Sequence, residues 1–263
     1  MKKISIVIFL AFACSGCGRT SALDALRQKA EQGDAIAQFE LGDIYNIGHD
    51  VPKNDSEAVK WYRKAADQGI AKAQYNVGCM YDSGQGVAKD ETEAAKWYRK
   101  AADQGDEKAQ YTLGNMYGDG RGVAKDDVEA VKWWRKAANQ GVAYAQYNLG
   151  LMYARGQGIT KDQTEAAKWY RKAADQGHAD AQRNLGLMYF SGQGVPKDEA
   201  EAAKWFQKAA EQGLAGGQVN LAYMYATGRG VAKDLAESLK WFHKGADQGD
   251  VGAQYGLGPR LSD

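Results

Sequence analysis

Residues 70–105 read IAKAQYNVGCMYDSGQGVAKDETEAAKWYRKAADQG, and this stretch decides the fold. Ala73, Val77, Met80 and Tyr81 fall at i, i+4, i+7 and i+8, one apolar stripe of a helix. Gly84-x-Gly86 then ends that helix, because glycine accepts the left-handed backbone that closes one. Asp90 is placed to cap a second helix, with Glu93 three residues on and reaching back, an Asp variant of the capping box. Ala94, Trp97, Tyr98, Ala101 and Ala102 form the second stripe, and Gly105 stops it. The segment predicts two helices joined by a glycine turn.

The same unit recurs along the chain. Gln-Gly occurs at Gln32, Gln68, Gln104, Gln140, Gln176, Gln212 and Gln248, always 36 residues apart. Trp61, Trp97, Trp133, Trp169, Trp205 and Trp241 keep the same interval. Six full copies fill 34–69, 70–105, 106–141, 142–177, 178–213 and 214–249. A linker and capping helix occupy 18–33, with Ala25 where tryptophan would stand. A truncated seventh copy occupies 250–263, and Pro259 is expected to stop its helix early. One such hairpin buries too little surface to stand alone, whereas six stacked copies do, so the expected fold is an all-α, right-handed superhelical α-solenoid. Ala and Gly at facing positions permit close helix approach, and Trp and Tyr fill the spaces between pairs.

Composition agrees with a folded body. The chain has 263 residues, with 34 Lys and Arg against 33 Asp and Glu, and no basic block. That balance excludes nucleic-acid binding by blanket phosphate neutralisation, so no nucleic-acid partner is expected. Glycine is abundant at 32 while proline occurs 3 times, as a repeated helical hairpin requires.

The first residues read as an export signal. Lys2 and Lys3 form a positive region, and Ile4–Ala13 is an apolar run too short to span a bilayer comfortably. Cys17, after Ser15-Gly16, resembles a lipobox cysteine; Cys14, after Ala13, is the alternative, and simple cleavage after Ala13 a third reading. By the same resemblance Gly18, where retained lipoproteins carry Asp, implies an outer-membrane anchor facing the periplasm; a soluble periplasmic or secreted chain is the alternative. After processing at Cys17 only Cys79 remains, so no internal disulfide is available and packing must supply the stability.

The repeat, by the residues quoted above, resembles the Sel-one-like repeat family, the 36-residue relative of the tetratricopeptide repeat. The resemblance covers residues 34–249. It implies helix-turn-helix units and a scaffold for protein complexes. It also implies exported or lipid-anchored bacterial relatives that act in envelope assembly, in host contact or as immunity partners of toxins. Fold by itself does not specify which.

Comparison among the six copies marks a working face. In each first helix the third, sixth, tenth, thirteenth and fourteenth positions vary, and their spacing places them on one side, opposite the Ala/Leu/Met stripe. Variation suggests freedom from the stacking demand, and the first helices are expected to line the concave surface. The first three copies offer Asp43, Lys72, Cys79, Asp82, Lys108, Asn115 and Asp119. The last three offer Tyr144, Tyr147, Leu151, Arg155, Leu187, Phe190, Val219 and Tyr223, with Arg183 replacing the usual tyrosine. Aromatic and arginine anchors in an apolar setting are the material of binding hot spots, so these nine are the candidate partner-binding residues. Some of them are also candidates for packing between copies.

Motifs for chemistry are absent. His49, His178 and His243 occupy different columns and lack metal-ligand spacing, so they read as surface or hydrogen-bonded histidines. Gly118-x-Gly120-x-Gly122 follows a helix rather than a strand and recurs, minus one glycine, in every copy, so it is a turn. The Gln column from Gln38 to Gln254 reads as a hydrogen-bond device between copies. A β-lactamase-like activity, raised by a cysteine-rich branch of the family, lacks both the cysteine pairs and any Ser-x-x-Lys element. A glycan-binding role rests on Trp134 alone, since the other tryptophans keep to the packing column. No catalytic residue, cofactor or metal is expected. The leading reading is a non-catalytic envelope scaffold that binds a partner protein, with an immunity protein against a toxic effector as the alternative.

Overall fold

The computed structural model describes residues 17–257, with side chains from Ala22. Cys14, Pro259 and the side chain of Cys17 lie outside the described residues. All regular structure among the described residues is helical, and the chain divides into two compact units. The first, up to Asp106, holds α1 (Cys17–Glu31), α2 (Ala35–Ile47), α3 (Asp55–Asp67), α4 (Ala71–Ser83) and α5 (Glu91–Asp103). The second, from Glu107, holds α6 (Glu107–Asp119), α7 (Asp127–Asn139), α8 (Ala143–Arg155), α9 (Gln163–Asp175), α10 (Ala179–Ser191), α11 (Glu199–Glu211), α12 (Ala215–Thr227), α13 (Leu235–Asp247) and α14 (Val251–Gly256). Even-numbered helices are the first helices of the copies and odd-numbered ones the second. Consecutive helices pack on each other within each unit, the arrangement of an α-solenoid.

Both stripes read from residues 70–105 face inward. Ala73, Val77 and Met80 on α4, and Ala94, Trp97, Tyr98, Ala101 and Ala102 on α5, are buried. Gly84 closes α4 in the left-handed region at φ 73°, its N–H donating to the Met80 carbonyl. Asp90 caps α5, its carboxylate accepting the Glu93 N–H at 2.9 Å. The reciprocal arm of the expected capping box is not made. Asp90 N–H donates to the Tyr81 carbonyl at 2.9 Å, so Glu93 is released to accept from Lys96, also at 2.9 Å.

Two aromatic columns hold the copies together. Trp97 closes the apolar cluster formed by α3 and α4, and Trp169 and Trp205 do the same for α7–α8 and α9–α10. The next ring along, Tyr98, lies flat on Gly78 of its own copy. A Cβ there would come within 2.7 Å of the ring, so the glycine is a seat. Tyr62, Trp134, Tyr170 and Phe206 sit likewise on Gly42, Gly114, Gly150 and Gly186. In the sixth copy Ala222 fills the seat with its own methyl, and Phe242 packs against Gly256 instead.

The glutamine column joins three helices at once. Gln74 Nε2 donates to the Ala66 carbonyl at the end of α3, while its Oε1 accepts from Gln104 Nε2 at the end of α5 at 2.7 Å. Gln146 repeats the arrangement with Ala138 and Gln176. The recurrent Gln of Gln-Gly is therefore a partner of the buried Gln column, and each buried amide is satisfied by two neighbours.

Candidate functional site

In the second unit the first helices lie side by side. Tyr111 on α6 meets Tyr144 on α8 with ring centroids 6.1 Å apart, and Phe190 on α10 meets Tyr223 on α12 at 6.2 Å. Each of these contacts brings together side chains of neighbouring first helices. Tyr144 is 62% exposed, Leu187 37% and Tyr223 45%, and Arg155 is exposed as well. Tyr147, Leu151, Arg183, Phe190 and Val219 are half-buried. Tyr147 and Leu151 rest on the α9–α10 core cluster and Phe190 on the α11–α12 cluster. Val219 sits apart from the rest, toward Gly245 of α13 and Gly252 of α14.

Two groupings result. Around α8 and α10, Tyr147 stacks on His178 at 4.5 Å and Tyr144 meets the same imidazole edge-on at 4.9 Å. The Asn184 side chain lowers the values of the Tyr147 and Tyr170 hydroxyls. Burial pushes the Tyr170 hydroxyl up to about 12 and raises that of Tyr147, while Arg155 and Arg183 pull the Tyr147 value back. Around α10 and α12, Phe190 is covered by the Arg229 guanidinium at 4.0 Å, and Arg229 pairs with Glu199, holding that carboxyl down at about 2.

Sequence reasoning passed over two members of this face. His178 is the N-cap of α10, its Nδ1 accepting the Ala181 N–H at 3.3 Å, which fixes the proton on Nε2 of the neutral ring. Burial lowers its pKa. The signal lay in its column, where Asp34 and Asp250 cap their helices in the same way. Asn184 belongs to a recurrent Asn column, Asn76, Asn148, Asn184 and Asn220, whose role appears only when the ring it meets is known.

The tenth position corrects the idea that variation means freedom from packing. Asp43 accepts the Tyr62 hydroxyl at 2.6 Å, and Asn115 accepts Trp134 Nε1–H at 2.9 Å, while Cys79 joins burial in raising the Tyr98 hydroxyl. These residues are tied to the second-helix ring of their own copy rather than left free of it. Trp134 is 6% exposed, and Gly118 lies under its far edge. Five of the other six tryptophans are buried, and Lys244 stands 4.0 Å over the half-buried Trp241 ring, so no open indole platform remains for a sugar among the described residues.

Among the described residues no group of three His, Cys, Asp or Glu side chains is arranged to hold a metal ion, and no helix is long and apolar enough to cross a membrane. The family model of the Sel1 repeat matches residues 35–70, 71–106, 107–142, 143–178, 179–214 and 215–250. Among solved structures, c5321, a protective antigen of uropathogenic Escherichia coli with the same repeat fold, is 38% identical at a TM-score of 0.72. The match covers 93% of this chain and 61% of that one, so the chain spans about three fifths of its relative. A Sel1 repeat protein from Oxalobacter formigenes is 36% identical at a TM-score of 0.72, over 86% of this chain and 90% of that one. No curated protein matches. Six consecutive repeat matches, carried on the helical hairpins described above, make this chain a member of the Sel1-repeat family.

Proposed function

We propose that the chain is a non-catalytic scaffold of the bacterial envelope that binds a partner protein on the first-helix face of its fourth to sixth copies. Sel1 repeats are protein-interaction scaffolds. The observation that carries the reading is the exposure of Tyr144, Arg155, Leu187 and Tyr223 on the first helices α8, α10 and α12, where a fold gains nothing from leaving apolar side chains open. Placement at the envelope, through a lipid on Cys17 with the acyl chains in the outer membrane, rests on the N-terminal sequence alone.

The test is affinity capture from an envelope fraction with the full chain, in parallel with Tyr144→Ala and Leu187→Ala. Tyr144 is 62% exposed and Leu187 37%, and the melting temperature of each variant is measured beside the capture to separate lost binding from lost packing. A partner retained by the wild type and lost from both variants supports the face; retention by both variants refutes it. If the captured partner is a toxin whose activity the chain abolishes, the role is immunity. Labelled palmitate incorporated by the wild type but not by Cys17→Ser checks the anchor, and incorporation lost only in Cys14→Ser moves it to Cys14.

A further inference from the structure

Arginine placement on this face follows a different rule from the rest of the chain. Arg63 and Arg135 each donate to the tyrosine eighteen residues ahead, Arg171 does so with Tyr189, Arg27 bonds Asp24 and Tyr45, and Arg229 pairs with Glu199. Arg99 and Arg121 are engaged as well. Arg155 and Arg183 are the two, among arginines with described side chains, for which the structure records no ion pair or hydrogen bond to protein. Arg183 stands in the column that holds Phe39, Tyr75, Tyr111 and Tyr147 in earlier copies. Its guanidinium lies along bare Gly216, where a Cβ would come within 2.7 Å of Nε. That Nε is buried and has no acceptor. A buried donor without a partner is unfavourable, and the half-buried Arg183 side chain keeps its other guanidinium nitrogens free for an acceptor from outside.

The surroundings define that acceptor. α8 and α12 carry no carboxylate and α10 carries only Asp180, so the three first helices hold two arginines against one acid. Arg155 ends α8 and Arg183 lies on α10, and both act against the burial that raises the Tyr147 hydroxyl. Leu151 and Leu187 lie on the same two helices, the first half-buried and the second exposed. Two cations in an apolar frame do not suit a nucleic-acid backbone or an anionic bilayer, which call for a broad basic surface. They suit carboxylates spaced among apolar side chains.

We propose that the face of α8 and α10 recognises an acidic segment of a partner protein, with Arg155 and Arg183 taking its Asp or Glu carboxylates and Leu151 and Leu187 taking the apolar side chains between them. This rests on the reading of the same face as the partner site. Its test is selection of random twelve-residue phage-displayed peptides on the full chain, followed by fluorescence anisotropy with the selected peptide. The same peptide with every Asp and Glu changed to Asn and Gln is measured beside it. Enrichment of acidic-apolar sequences is expected, with about tenfold weaker binding for the amide peptide and for each of Arg155→Gln and Arg183→Gln. The melting temperatures of both variants should match the wild type. Equal binding of acidic and amide peptides, or unchanged binding by both arginine variants, overturns the inference. Tighter binding of a phosphoserine version, or of phosphatidylglycerol vesicles, overturns it in favour of a phosphate ligand. A peptide indifferent to both arginines but lost with Tyr144→Ala overturns the acidic preference and leaves the partner face standing. Failure to select any peptide whose binding depends on Tyr144, Arg155 or Arg183 overturns both.

Discussion

Trp134 Nε1 donates to Asn115 Oδ1 at 2.9 Å, from the second helix of the third copy to its first. Tyr62 and Asp43 stand in the same relation in the first copy, also nineteen residues apart. In the first and third copies the second-helix ring has a polar tip and the tenth residue of the copy accepts from it. Where the fifth copy has Phe206 the tenth residue is Leu187, with nothing polar to receive.

Replacing Asn115 with Leu removes that acceptor while the indole N–H stays enclosed. Chemical unfolding of the full chain should show a loss of about 1–3 kcal/mol. Asn115→Asp keeps the acceptor and should lose less. Equal losses for the two would mean that the bond is incidental.

Phe206→Tyr should stabilise the chain. Asn76 and Asn184 lower the values of the Tyr62 and Tyr170 hydroxyls, fourteen residues before them, and Asn220 stands at the same interval from Phe206. The Nδ2 of Asn220 is buried with no partner. A hydroxyl there should add about 1 kcal/mol. Unchanged or reduced stability in the same unfolding measurement would count against the pairing.

Two glycines separate backbone strain from collision. Gly141, at φ 98°, has open space where a Cβ would go, and Ala there should lose about 1–2 kcal/mol through the left-handed backbone alone. Gly158, at φ 64°, would drive a Cβ to 2.2 Å from the Asp127 carbonyl oxygen of the preceding copy. Gly158→Ala should therefore lose about 3 kcal/mol or more. Similar losses at both sites would remove the proposed close approach.

His178 should make the second unit sensitive to acid. Its imidazole accepts a helix N–H through Nδ1 and lies between Tyr144 and Tyr147, with Asp180 the nearby charge that opposes the burial effect. The folded pKa is below that of the unfolded chain, so the unfolded state binds the extra proton first as pH falls. Its stabilisation is complete above about pH 6.5 and declines as pH drops toward the folded value. His178→Asn keeps a capping side chain that does not titrate. Melting scans from pH 7.5 to 5 should fall more steeply for the wild type than for this variant; parallel curves would exclude the histidine as the cause.

The repeat was legible because every copy solves one local packing problem. The 36-residue interval, the two stripes around residues 70–105, the Gly84 stop and the Asp90 cap are local features, and each stands where its spacing placed it. The reach of Glu93 was not legible, since the competing donor to its carboxylate, Lys96, and the carbonyl that takes Asp90 N–H, on Tyr81, are matters of geometry.

By itself the order of residues determined hairpin, period, family and the face on which side chains differ among copies, because helical periodicity and glycine conformational freedom act over a few residues. Only the tertiary structure decided what those differences are for. Asp43 and Asn115 are tied to rings across the hairpin, Phe190 lies under an arginine thirty-nine residues on, and Arg155 and Arg183 are left without partners. Contacts of that kind depend on which copy lies next to which, and a one-dimensional pattern repeated six times cannot distinguish a side chain that varies to fit its neighbour from one that varies because it has none.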